Sequence, residues 1–543
     1  MKTQIKVQIT FLFISLLFFT SCEEGILDKQ PLSQLSTENF WTTAEDAQLA
    51  LAGVYNKATT WSSADHLCEF DDNTDNGIDR KPNQSFLIYG NLNPSSSEIK
   101  SYWNNSYREI AGCNYFLENI EKIEDMDAGT KAEMIAEVRF LRAFTYFNMS
   151  QFFGGVPLVT KLLTMEESIT VNSVSKAEIV SFVLSELDAI TNDLPVSRPS
   201  NQHGRIVRAA ALGVKGRLLM AEEKWAEAAA AFKAVIDLGV HHIDPQYSEL
   251  FNGKNEESSE IIFSRKYLAG EIANSTQLYY RPNADGGWHH MNPFQSLVDA
   301  YLCTDGKTIQ ESELYDPQFP VVKNGVNYRD PRLLYTIFYP GISTIKGRVY
   351  HGHPDSTTVV GDVFTYDAGM TGYCLQKFVD NDYTGDVYSS GVDIPIIRYA
   401  EILLSYLECK INEGATIDQN LLDLTINAVR SRESVQMPAV TESDPAALME
   451  ILKRERRVEL AWEGLRYWDL NRWEMASEIL ENKPMYGIKI TDDDPENYDR
   501  FPVGPTGHYF VINLKYKSSD IPWPIPQDEL DINTTLTQKD NWK

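Results

Sequence analysis

The segment RAAALGVKGRLLMAEEKWAEAAAAFKAVIDLG, residues 208–239, restricts the fold more than any other stretch of the chain. Gly216, Leu219, Trp225, Ala228, Phe232 and Val235 are spaced as in a unit of two packed helices. The small residues let the two helices approach, and the large ones fill the gap between them. Such a unit, with a period of about 34 residues, cannot bury its apolar face alone. Partner units must exist, and residues 102–153, and 396–413 with 418–432, are the candidates, with a weaker repeat pattern.

The spacing resembles that of a tetratricopeptide repeat. It implies a mainly α fold: a tetratricopeptide-like scaffold (an α-α superhelix) carrying long irregular loops and small β elements. Local signals agree. TTAEDAQLALAGVYNKA (42–58) opens on two threonines with Glu45 and Asp46 in the first turn, which suits a helix start. In residues 130–157, Thr130 and Glu133 read as a capping box, and Gly154, Gly155 and Pro157 as the stop. Between 241 and 395 turn signals crowd in (DPQ, NGKN, ADGG, DPQFP, KNGVN, YPG, DAGMTG), with short β-branched and aromatic runs between them. Helix returns at 396–413, 418–432 and 444–481. The last stretch, 497–543, carries Pro502, Pro505, Pro522, Pro524 and Pro526 and reads as largely irregular. Along 450–466 the signs interleave, giving local pairs Glu450–Arg454, Arg456–Glu459 and Glu463–Arg466 on a scaffold helix.

The N-terminus is of another kind. In FLFISLLFFTSCEEG the apolar run from Ile9 to Phe19 is too short to span a bilayer, which takes about 20 residues as a helix. Lys2 and Lys6 precede it and Thr20-Ser21 end it, the layout of a secretory leader. Cys22 at the junction resembles the lipobox cysteine of bacterial lipoproteins, which is acylated after cleavage. The organisation expected is a leader over 1–21, a polar tether over 22–40, and a single body over 41–543. In that body the helical scaffold occupies 41–240 and 396–481, and the loop-rich portion 241–395 and 482–543.

The formal charge of −28 sets the sequence against phosphate backbones and anionic lipid surfaces, so nucleic-acid binding is excluded as a main activity. With Cys22 set aside, Cys68, Cys113, Cys303, Cys374 and Cys409 are scattered without a CxxC pair. That is neither a disulfide framework nor a zinc site; one or two bridges, or buried free thiols, fit equally.

Seven stretches, in order along the chain, resemble the SusD/RagB-like outer-membrane nutrient-binding lipoproteins: LDKQPLSQLSTENFWTTAEDAQLALAGVYN (27–56), EVRFLRAFTYFNMSQFFGGVPLV (137–159), NPFQSLVDAYLCTDGKTI (292–309), RDPRL (329–333), TGYCLQKF (371–378), RRVELAWEGLRYWDLNRWE (456–474) and IPWPIPQDELDINTTLTQ (521–538). The resemblance implies a lipid-anchored protein on the outer face of the outer membrane. Its partner would be a SusC-like TonB-dependent transporter, to which it passes a captured nutrient, usually an oligosaccharide or polysaccharide. Glu23 and Glu24 behind Cys22 resemble the surface-export signal of such lipoproteins.

Neutral sugars are bound by stacking a pyranose face on an aromatic ring, with hydrogen bonds from carboxylates, amides and arginine. Two loops offer that mixture. Residues 61–80 hold Trp61, Asp72, Asn73, Asp75 and Arg80, and residues 278–290 hold Tyr279, Tyr280, Arg281, Asp285, Trp288 and His289. Trp103 is a further candidate. Trp288, behind Asp285-Gly286-Gly287, stands out because that turn is hard to bury. Asp72, Thr74, Asn76 and Gly77 imitate the opening of a calcium loop, but its twelfth position is Asn83 rather than glutamate, so the helix-loop-helix site fails and only an irregular calcium site stays open. In HGHPD, His351, His353 and Asp355 read as a turn. GxSxG, HExxH and a phosphate-binding glycine loop are absent from the sequence. No catalytic residue, cofactor or metal is therefore expected. A peptide or other nutrient in place of a glycan, and a surface glycoside hydrolase, are the alternatives.

Overall fold

The computed structural model describes residues 40–57, 68–82, 84–353, 369–490 and 502–543. The leader, Cys22, Glu23, Glu24, most of the tether, Trp61 and Asn83 lie outside the described residues.

Seven helices build the scaffold: α1 Ala44–Lys57, α2 Ser97–Asn119, α3 Ala128–Phe153, α4 Lys176–Ile190, α5 Arg208–Ala221, α6 Trp225–Asp237 and α7 Tyr399–Asn412. Each packs against the next in this order, including α6 against α7, although more than a hundred residues of loop and strand intervene. One hydrophobic cluster runs through all of them. This is a tetratricopeptide-like scaffold, and the units expected at 102–153 and 396–413 supply its further helices.

The repeat spacing has a direct physical basis. A Cβ on Gly216 of α5 would lie 2.5 Å from the Phe232 ring of α6, so only glycine lets the helices close. Ala228 is fully buried on the same pair. Ala228→Trp is expected to overpack this contact at a cost of about 1–3 kcal/mol and to lower the midpoint of thermal unfolding. An unchanged midpoint would place residue 228 on an open face.

Several boundaries differ from expectation. Helix α3 begins earlier than Thr130: Asp127 is its cap, accepting a hydrogen bond from the Thr130 N–H at 2.8 Å, because aspartate outcompetes threonine for that role here. Gly154, at φ 68°, ends it as expected. The helix expected over 444–481 is broken into α8 Pro445–Glu459, α9 Arg466–Arg472 and α10 Ala476–Leu480, since Trp462 (φ 62°) and Gly464 (φ 75°) take left-handed backbone. Glu450 pairs locally, with Lys453 rather than Arg454, while other charges of the segment find more distant partners. Arg456 pairs with Asp469, Glu459 with Arg332, Arg398 and Arg432, and Glu463 with Lys377 and Arg398.

Short antiparallel pairs frame the rest. Of the strands, β1 Gly77–Asp79, β2 Ile261–Arg265, β3 Met291–Pro293, β4 Ile394–Arg398, β5 Glu481–Lys489 and β6 His508–Lys515 matter most. They pair as β1–β3, β2–β4 and β5–β6. The last pair corrects the expectation of irregular chain after 497: irregular register along β5 and β6 accommodates Pro484. Beyond it the proline-rich end packs on the helices, with Trp523 fully buried and stacked on Phe152 at 4.1 Å. A second hydrophobic cluster lies under the loop-rich portion, drawing on residues 247–379, 435–462 and 488–490. Cys113, Cys303 and Cys409 are buried free thiols, and Cys374 is buried with its thiol donating to Tyr280 O at 2.9 Å. Among the described residues no helix is long and apolar enough to cross a membrane.

Candidate functional site

The two loops singled out from sequence are brought together by the β1–β3 pair. Gly77 faces Pro293, Ile78 faces Asn292 and Asp79 faces Met291, and the Arg80 N–H continues the pairing by donating to the His290 carbonyl at 3.0 Å. The second loop folds back on itself. The N–H of Trp288 donates to Leu278 O at 2.6 Å, that of His290 to Tyr279 O at 2.7 Å and that of His289 to Arg281 O at 3.1 Å. The reversal depends on Gly286-Gly287. Gly286 has φ 82°, and a Cβ on Gly287 would fall 2.1 Å from Arg281 O.

This backbone sorts the side chains. Trp288 points outward, 37 % exposed, while Tyr279 is half-buried beside it with ring centroids 5.5 Å apart. His290 lies buried beneath, stacked on Tyr279 at 4.9 Å and on Trp288 at 5.6 Å. Asp79 sits 3.5 Å from the His290 Nδ1 and fixes the ring from below. Tyr388, 62 % exposed, meets Trp288 edge-on at 6.2 Å. Its segment is held by reciprocal backbone bonds between Ser390 and Asn274 (2.9 and 2.8 Å). Lys81 is exposed, its Nζ lying 5.7 Å from the Trp288 ring centre and 5.9 Å from that of Tyr279. The result is a partly open aromatic platform with a cation at its edge, suited to stacking a flat apolar face.

The other sequence candidates sit elsewhere. Tyr280, Arg281 and His289 are fully buried. Arg281 donates to Asp380 O at 2.5 Å, and His289 Nε2 lies 3.0 Å from Tyr373 O. They lie inside the fold and do not face solvent. Asp285 is paired with Arg348 at the rim. Arg80 is half-buried.

Asp72, Asn73 and Asp75 are also buried, which corrects their reading as an exposed polar loop. Asn73 accepts from the Leu87 N–H at 2.9 Å and donates to Gln84 O at 3.0 Å. Burial, with Asp79 and Asp71 nearby, pushes Asp72 well above the usual carboxylate range. Burial also acts to raise Asp75, but the Arg457 and Arg466 guanidiniums outweigh it and hold that carboxyl at about 2. The polar residues of this calcium-like sequence thus serve the protein itself: Asp71 accepts from the Trp462 N–H at 2.5 Å and from Asn76 at 2.9 Å. Among the described residues no group of three or more His, Cys, Asp or Glu is placed to hold a metal ion. Trp103 is 2 % exposed and packs edge-on against Phe153 at 5.2 Å, a core tryptophan. His353 Nε2 lies 3.1 Å from Lys489 O, and Asp355 lies outside the described residues.

Sequence reading missed Tyr388, Lys81 and His290. The signal for Tyr388 was present: a tyrosine within NDYTGDVYSSG, too rich in turn formers to be core.

A helical-repeat scaffold that displays an aromatic platform on loops inserted between its helices defines a class of binding protein. Comparison with known proteins places it more narrowly. The sequence profile of the SusD family matches residues 259–542, and a second profile, described as "Starch-binding associating with outer membrane", matches residues 26–218. The chain belongs to the SusD family. It is 26 % identical over 513 residues to SusD-like protein P38 of Formosa agariphila, covering 88 % of this chain and 94 % of that one. Among solved structures it is similar to a SusD-like carbohydrate binding protein from Bacteroides fragilis NCTC 9343, with a TM-score of 0.86 and 36 % identity over 92 % of this chain and all of that one. A second SusD-like protein from the same organism gives a TM-score of 0.75 at 25 % identity, covering 94 % of this chain and 99 % of that one.

Proposed function

We propose that the protein binds a glycan at the cell surface and delivers it, uncleaved, to a SusC-like TonB-dependent transporter in the outer membrane. The observation that carries this reading is the Trp288–Tyr279–Tyr388 platform, a set of contacting rings in which Trp288 and Tyr388 are exposed. Family membership, and a relative at 36 % identity described as carbohydrate binding, support it. Anchoring falls to lipid on Cys22, with Glu23 and Glu24 directing the chain outward.

Losing one stacked ring costs on the order of 1–2 kcal/mol, so Trp288→Ala is expected to weaken binding roughly five- to thirtyfold with the fold intact. Calorimetry of the purified body against an oligosaccharide panel, followed by the variant against the tightest ligand, measures this. New reducing ends during incubation would make the protein a hydrolase instead. Undiminished binding by Trp288→Ala would move the site off the platform, and failure of every glycan would favour a peptide or other nutrient.

A further inference from the structure

The platform carries a charge that a neutral sugar does not need. Lys81 follows β1 directly, and its backbone N–H is fixed by Asp79 Oδ1 at 2.5 Å, so the side chain starts from a held position. Its ammonium lies near both ring faces and, among the described residues, has no carboxylate within ion-pair distance. Three lysines of the loop-rich portion, by contrast, are ion-paired: Lys254 with Asp380 and Asp382, Lys266 with Asp393, and Lys323 with Asp316. In a chain with 77 acidic against 49 basic side chains, an ammonium left over at an aromatic platform is notable. Asp79, two residues before it, is buried against His290, and Asp285 is paired with Arg348.

Building on the platform reading above, we infer that the ligand is an acidic glycan, one whose sugar stacks on Trp288 while a carboxylate or sulfate group meets Lys81. A ring face and an ammonium side by side match the two faces of such a residue, apolar C–H on one side and an anionic substituent at the edge. The ammonium keeps its place over the rings by cation–π attraction and needs no rearrangement to receive the anion. Charge-assisted pairing at a partly exposed site gives a modest preference, and salt screens it.

The test uses three oligosaccharide probes of similar length: an uncharged β-glucan, an oligogalacturonate and a sulfated galactan. Each is titrated against the wild-type body, Lys81→Met, Lys81→Arg and Trp288→Ala. Wild type is expected to prefer one anionic probe over the neutral one by about three- to tenfold, the preferred probe telling carboxylate from sulfate. Lys81→Met keeps the apolar stem and should erase that preference, Lys81→Arg should restore most of it, and higher salt should mimic Lys81→Met. Equal or tighter binding of the neutral probe, or an anionic preference that survives Lys81→Met, overturns the inference; if Trp288→Ala still weakens binding, the platform itself stands. Binding of none of the probes, or binding indifferent to Trp288→Ala, overturns both.

Discussion

Glu459→Ala is expected to destabilise the protein by about 3–5 kcal/mol, the usual consequence of removing one partner from a buried ionic network. Glu459 ends α8, fully buried. Its Oε1 accepts from Arg398 and Arg432, both at 3.1 Å, and its Oε2 from Arg332 at 2.9 Å. These arginines come from three separate places: the loop-rich portion, the end of β4 and the turn after residue 430. Glu260 shares Arg398 and Arg432, Glu463 shares Arg398, and Asp330 and Glu455 share Arg332. Burial alone would raise the Glu459 carboxyl, but Arg432, Arg398 and Arg332 together hold it at about 2. Its folded value is therefore depressed, and the stabilisation is present above the unfolded carboxylate range and lost as pH falls towards 2. Thermal unfolding near neutral pH checks the variant. Glu450→Ala on the same helix is the control, since among the described residues Glu450 pairs with Lys453 alone and its side chain is 69 % exposed. Equal melting of the two variants would show that the network contributes nothing.

Glu109→Gln should act in the opposite direction, and only at higher pH. Glu109 lies on α2, 3 % exposed, with Oε2 lacking a hydrogen-bond partner. Burial pushes its carboxyl up to about 8, against a smaller opposing pull from the Thr145 hydroxyl and Arg265. A folded value above the unfolded one means that stability is fully present below the unfolded value, near pH 4–5. It is lost as pH rises towards 8. Each unit of difference corresponds to about 1.4 kcal/mol, so the variant should match wild type at pH 5 and exceed it at pH 9 by on the order of 3–5 kcal/mol. Asp71, raised to about 6 mainly by burial, and Glu256, raised to about 7 by burial and Asp393, slope the same way in both proteins and cancel in the difference. Unfolding curves that run parallel from pH 5 to 9 would contradict this assignment.

What the sequence disclosed and what it hid follow from the range of the interactions involved. The α5–α6 unit was legible because Gly216, Ala228 and Phe232 act within one local period. Trp288 was legible because Asp-Gly-Gly forces an exposed turn whatever lies around it. The charges of 450–466 were misread as neighbours on one helix because their partners are dispersed: Glu459 meets Arg332 from more than a hundred residues away. The polar run around Asp72 and Asp75 looked solvated for the same reason, since Arg457 and Arg466 reach it only in the folded chain. In the 278–290 loop, which side chains face out depends on the strand-like reversal. Tyr388 is brought to the platform with the help of the Asn274–Ser390 backbone bridge, a long-range pairing.

The central claim is that a sugar ring lies on Trp288. A crystal structure of the body with the tightest oligosaccharide from the panel tests it most directly. The account predicts a pyranose face stacked on the Trp288 indole, about 4 Å from it, with Tyr279 and Tyr388 in contact. A glycan seated elsewhere, with Trp288 uncovered, would contradict it.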